Sequence, residues 1–74
     1  MTTARAVHLD LRGLEPPQPM VKALEAAGQL SWDEELFVIT DRTPIHLLPL
    51  LAERGFRVST RHLTDGHETC IWRA

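Results

Sequence analysis

The sequence predicts an α+β fold, a two-layer sandwich of element order β-α-β-α-β-β in which a four-stranded mixed sheet carries both helices on one face. Three observations predict it. Ala6 to Leu11 and Phe56 to Leu63 alternate apolar with polar side chains, the period of a half-buried strand. Two proline-opened segments carry apolar residues at helical spacing. Thr64-Asp65-Gly66-His67 contains the Asp-Gly pair favoured in hairpin turns. Right-handed crossovers that advance in one direction put both helices on the same side of the sheet.

The first strand presents Val7, Leu9 and Leu11 to one side and His8 and Asp10 to the other. Arg12-Gly13-Leu14-Glu15 breaks the alternation, and Pro16, Pro17 and Pro19 hold the chain extended until a helix starts at Pro17. That helix runs to Ala27 with Met20, Val21, Ala23, Leu24 and Ala27 as its apolar stripe. Gly28 is expected to end it in the left-handed conformation. Gln29 to Glu34 form a loop whose Trp32 is expected to cover the open end of the core. The second strand, Glu35 to Thr40, is apolar without alternation from Leu36 to Ile39, as in a central strand covered on both faces.

Asp41-Arg42-Thr43-Pro44 signals the second helix, with Thr43 as the candidate N-cap and Pro44 in the first position. Pro49 would remove the bond to the Ile45 carbonyl in a helix begun at Pro44. A tight turn over Pro44 to Leu47 and a regular helix from about Leu48 to Arg54, stopped by Gly55, is therefore expected, with Leu47, Leu48 and Leu51 facing the sheet. The third strand is Phe56 to Leu63 and the fourth Glu68 to Arg73. The second face of the sheet is left bare. If Phe37, Ile39 and Trp72 lie there, the apolar patch invites association.

Composition narrows the function. Residues 1–74 suffice for one domain, and a chain this short buries only about 60% of its unfolded surface, so a monomer or weak homodimer is expected. No apolar run exceeds four residues, far from the roughly 20 that span a bilayer, and no export-like segment opens the chain; a cytoplasmic protein with no membrane role follows. The single cysteine, Cys70, can form no internal disulfide. A net charge of −2 gives no electrostatic support for binding nucleic acid.

Leu9-Asp10-Leu11-Arg12-Gly13-Leu14-Glu15-Pro16-Pro17-Gln18-Pro19 resembles the opening of the bacterial SirA/TusA-like sulfur-carrier family. In those carriers a strand ending Leu-Asp-x-Arg-Gly-Leu precedes a Cys-Pro-x-Pro motif whose cysteine accepts and passes on a persulfide sulfur. The resemblance weakens after Phe56. Pro16 stands at the cysteine position, and a proline has no thiol, no titratable group and no amide hydrogen, so sulfur relay is excluded there. The Glu-Pro-Pro-x-Pro version, with Asp41-Arg42-Thr43-Pro44, is similar to a cysteine-less branch described as a domain of unknown function. The resemblance implies modules found alone or fused to hemerythrin-like and other redox domains, beside genes of nitrogen-oxide respiration.

The leading expectation is a non-catalytic, carrier-like interaction module without cofactor, which meets a protein partner through Arg12, Gly13, Leu14, Glu15, Pro16 and Gln18. Asp10 and Arg12, two apart on one strand face, are expected to bracket the Gly13 turn. Glu15 is a carboxylate near a helix N-terminus, read as a solvated charge that helps fix the turn. The second expectation is a small metal- or redox-ligand-binding protein using His62 and His67, which flank the hairpin, with His8. No metal-ligand spacing supports it, and stable sites recruit three or four ligands. His46 reads as a surface residue. A sulfurtransferase acting through Cys70 is a third, disfavoured because nothing in a strand lowers a thiol pKa. Arg57, Arg61 and Arg73 could align on one side of the hairpin, but nearby Asp65 and Glu68 argue against a nucleic-acid groove.

Overall fold

The computed structural model describes residues 5–74. Its elements are β1 (Arg5–Asp10), α1 (Gln18–Gly28), β2 (Glu34–Thr40), α2 (Leu47–Glu53), β3 (Phe56–Leu63) and β4 (Gly66–Arg73). The strands form one sheet of order β1-β2-β4-β3, with β1 parallel to β2 and β4 antiparallel to both β2 and β3. The order β-α-β-α-β-β and the mixed four-stranded sheet are as the sequence predicts. Among the described residues no helix is long and apolar enough to cross a membrane.

The core lies between the helices and one face of the sheet. Leu11, Leu36, Val38, Phe56 and Ile71 meet Ala23, Ala27 and Leu30 from α1 and its exit, and Leu47 and Leu51 from α2. The two alanines let α1 approach closely. In β2 the apolar run divides by face: Leu36, Val38 and Thr40 are buried beneath the helices, whereas Phe37 and Ile39 are half-buried on the bare face. Phe37 stacks there on His8, with ring centroids 5.2 Å apart. Trp72, opposite Arg57 in the β3–β4 ladder, shares this face. Phe37, Ile39 and Trp72 thus share the bare face, each half-buried there.

Several local expectations are corrected. Gly28 is not left-handed: α1 runs through it, and positive φ occurs at Gly13 (+83°) and Gly55 (+87°) instead. The helix end needs no left-handed residue because Arg73 reaches across from β4. Its Nε donates to the Leu30 carbonyl at 2.6 Å and its Nη2 to the Gly28 carbonyl at 3.1 Å, while the guanidinium lies over the Phe56 ring at 4.9 Å. A cation here also opposes the negative end of the helix dipole. Among the described residues Trp32 does not cover the core and is 77% exposed. The Ser31–Glu34 turn closes on itself, the Ser31 amide donating to Glu34 Oε1 at 2.7 Å, and Leu30 shuts this end of the core.

Thr43 does not cap α2, which starts at Leu47 behind a turn in which the Leu47 and Leu48 amides donate to the Pro44 carbonyl. Pro49 thereby falls in the first helical turn, where its missing N–H has no intrahelical role. Leu47 and Leu51 are buried as expected, and Leu48 is half-buried. The hairpin loop is Thr64-Asp65, with Gly66 already paired to Leu63 in the sheet. Gly66 serves close approach rather than a turn: a Cβ there would lie 2.8 Å from the Thr40 carbonyl oxygen.

Candidate functional site

The parallel strands β1 and β2 end side by side, so the loops leaving them toward α1 and α2 are neighbours. Crevices outside the carboxyl ends of parallel strands are where open α/β sheets hold ligands. The first loop is anchored by its own charges. Arg12 donates to Asp10 through Nε at 3.0 Å and Nη2 at 2.8 Å, and the Arg12 amide adds a third bond to Asp10 at 3.1 Å. The bracket expected from the sequence thus forms. Its third nitrogen, Nη1, reaches Asp65 in the hairpin at 2.7 Å. These bonds hold the Asp10 carboxyl down at about 2, the side-chain hydrogen bond from Arg12 contributing most.

Gly13 then turns with positive φ, and its amide donates to Asp41 Oδ2 at 2.8 Å. Asp41 opens the second loop, so this bond fastens the two loops together. Leu14 dips inward and is half-buried; Glu15, Pro16 and Gln18 stay exposed. The Gln18 amide donates back to the Glu15 carbonyl at 2.9 Å, and the Pro16–Pro17 peptide is cis.

Between the loops lies an apolar groove of about 870 Å³. Leu14, Pro16, Pro17, Pro19 and Met20 form one wall, and Pro44, Ile45 and Leu47 the other, with Leu11 also lining it. Ile45 stands 64% exposed at its lip. The volume falls in the range of small-ligand pockets, about 300–1,000 Å³, and the lining is mostly apolar. As an anion site the α1 entrance is poor: Pro16, Pro17 and Pro19 have no N–H, and the Gln18 and Val21 amides are engaged by the Glu15 and Pro17 carbonyls.

Of the six expected contact residues, Leu14 and Pro16 line the groove, Glu15 and Gln18 flank it, and Arg12 and Gly13 hold the loop in shape. The sequence reading missed the second wall, from Asp41 to Leu47. Its signal was available in the Asp41-Arg42-Thr43-Pro44 helix start, which parallel β1 and β2 bring beside the first loop.

The family model described as "Uncharacterized conserved protein (DUF2249)" matches residues 8–73, from within β1 to the end of β4. The chain belongs to this family. The DUF2249 match spans both walls of the groove and the hairpin that Arg12 grips. No curated protein and no solved structure matches the chain.

The other candidate residues of this DUF2249 domain separate in space. His62 and His67 face each other across the β3–β4 ladder with ring centroids 6.1 Å apart. His67 is buried, its Nδ1 lies 3.4 Å from Thr43 Oγ1, and its Nε2 has no partner. His8 projects from the opposite face against Phe37, so the three histidines do not converge in one chain. Among the described residues no group of three or more His, Cys, Asp or Glu side chains is placed to hold a metal ion. His46 is exposed and lines the groove.

Cys70 sits half-buried on the bare face, paired with Phe37 and Ser59. Desolvation, then the negative charges of Glu35 and Glu68, push its thiol pKa up, opposite to what a nucleophilic sulfur needs. The three-arginine row does not form. Arg57 and Arg61 share the bare face, where Arg61 pairs with Glu68 at 2.8 Å, whereas Arg73 lies on the helix side at the end of α1.

Proposed function

We propose that this chain is a non-catalytic protein-interaction module, related to the sulfur carriers but lacking their sulfur-accepting cysteine, which docks a partner protein over the groove between its two strand-end loops. The observation that carries the reading is the groove itself: an apolar trough with prolines on both walls and an exposed isoleucine at its lip. Prolines limit the freedom lost on docking, so less ordering opposes association. The chemistry around it supports binding rather than reaction, since the groove lining holds no thiol and the helix entrance has few free amides. A cytoplasmic setting, and a link to redox or nitrogen-oxide metabolism, belong to the same proposal through composition and resemblance alone.

The test compares proteins retained from native-cell extract by the full chain, by Ile45→Asp and by Trp32→Ser. Trp32 is even more exposed than Ile45 but lies at the opposite end of β2. The reading expects the same specific partner on the parent and on Trp32→Ser, and its loss from Ile45→Asp. Retention unaffected by Ile45→Asp would remove the groove as the docking surface.

A further inference from the structure

We propose that β1 pairs edge to edge, antiparallel, with β1 of a second copy of this chain. The Arg5 amide donates to Asp33 and the Leu11 amide to Ile39, which fixes the odd-numbered backbone groups of β1 toward β2. The amides and carbonyls of Ala6, His8 and Asp10 therefore face outward, and among the described residues β1 pairs with β2 alone. β1 is also the barest strand. Every residue but Leu9 is exposed, although Val7 and Leu9 alternate as the apolar face of a buried strand should, and Val7 is 37% exposed.

Edge strands are ordinarily guarded by charged side chains, above all lysines, by prolines, by bulges or by a covering element. β1 has no proline, lysine or bulge, and α1 packs against β2 and α2 rather than over it. Both edge strands carry exposed charged or basic side chains, but β1 carries both signs in Arg5, His8 and Asp10, whereas those of β3, Arg57, Arg61 and His62, are all basic and do not complement themselves.

The partner is a second copy because β1 complements itself. With Leu9 opposite Leu9, His8 of each copy faces Asp10 of the other on the bare side of the sheet, and Val7 faces Leu11 on the helix side. A carboxylate offers about four acceptor positions, and Asp10 uses three on Arg12, leaving one on Oδ2 for an imidazole N–H. A shift by two residues would instead oppose His8 to His8 and Asp10 to Ala6, losing the His8–Asp10 pairs, with Val7 then facing Leu9. The resulting twofold axis, perpendicular to the sheet, closes the dimer as one continuous sheet. One strand edge buries less than the roughly 1,200 Å² of stable interfaces, so association is concentration dependent.

The experiment is light scattering of the full chain across a concentration series, with amide exchange read residue by residue. The parent is expected to pass from one copy to two, with protection rising at His8 and Asp10 and unchanged along β3. His8→Pro removes an outward amide while sparing the β1–β2 bonds and is expected to stay monomeric with native circular dichroism. Should that variant fail to fold, His8→Asp decides: it opposes carboxylates and is expected to weaken the dimer by about tenfold or more, whereas His8→Lys retains it. A parent monomeric at every concentration, a dimer indifferent to a folded His8→Pro or to His8→Asp, or protection confined to Phe37 and Trp72 would overturn the proposal.

Discussion

Arg12 joins two distant parts of the chain with one guanidinium, gripping Asp10 at the end of β1 and Asp65 in the hairpin. All three side chains touch water, so salt screens the pairs and their worth is modest. The direction with pH is nonetheless fixed. Asp10 has its folded pKa depressed to about 2 from the usual 3.8, so its contribution is present above about pH 4 and is lost as the pH falls through about 2. A carboxyl-carbon NMR titration should find the Asp10 midpoint near 2 in the parent and back near 3.8 in Arg12→Ala. A midpoint near 3.8 in both would mean that the bracket does not persist in solution. Cys70 is displaced the other way: with its thiol pKa raised, alkylation at neutral pH should be slower than that of a free cysteine. A faster rate would contradict the surroundings described for that thiol. The Asp10–Arg12 bracket was legible in the sequence because its partners are two residues apart. The Asp65 bond was not, since no local pattern reports a contact across 53 positions.

Element boundaries show the same division. Pro49 and Gly55 delimit α2 by local sterics, which sequence reveals, and Gly55 does adopt positive φ. Replacing it with alanine should destabilise the fold by about 1–2 kcal/mol, measured by urea unfolding, because an L side chain meets the following carbonyl in that conformation. Gly66 and Gly28 were misread because tertiary contacts decide them. Gly66→Ala should cost about 1–3 kcal/mol, since its new Cβ meets the Thr40 backbone oxygen and not a yielding side chain. A neutral result would show that the hairpin moves away from β2 freely. The end of α1 depends on Arg73, a residue 45 positions beyond Gly28. Arg73→Ala should lower stability by about 1–3 kcal/mol, and Arg73→Lys should recover little of it, because an ammonium cannot span both carbonyls while lying flat on Phe56.

At the scale of the molecule, the element order and the two-layer arrangement follow from periodicity and crossover handedness, while the insertion of β4 between β2 and β3 rests on long-range pairing that the alternation of single strands does not encode. Half of the groove was legible for the same reason: the α1 entrance has a distinctive run of prolines, whereas its opposite wall becomes a wall only once β1 and β2 lie parallel. Both walls together form the apolar surface on which the proposed docking of a partner rests. Its most direct test is sulfur loading of the full chain by a cysteine desulfurase with free cysteine, beside Pro16→Cys. The account predicts no sulfane sulfur on the parent by mass spectrometry and more on the variant; persulfide on the parent at Cys70, as readily formed as on the variant, would contradict it.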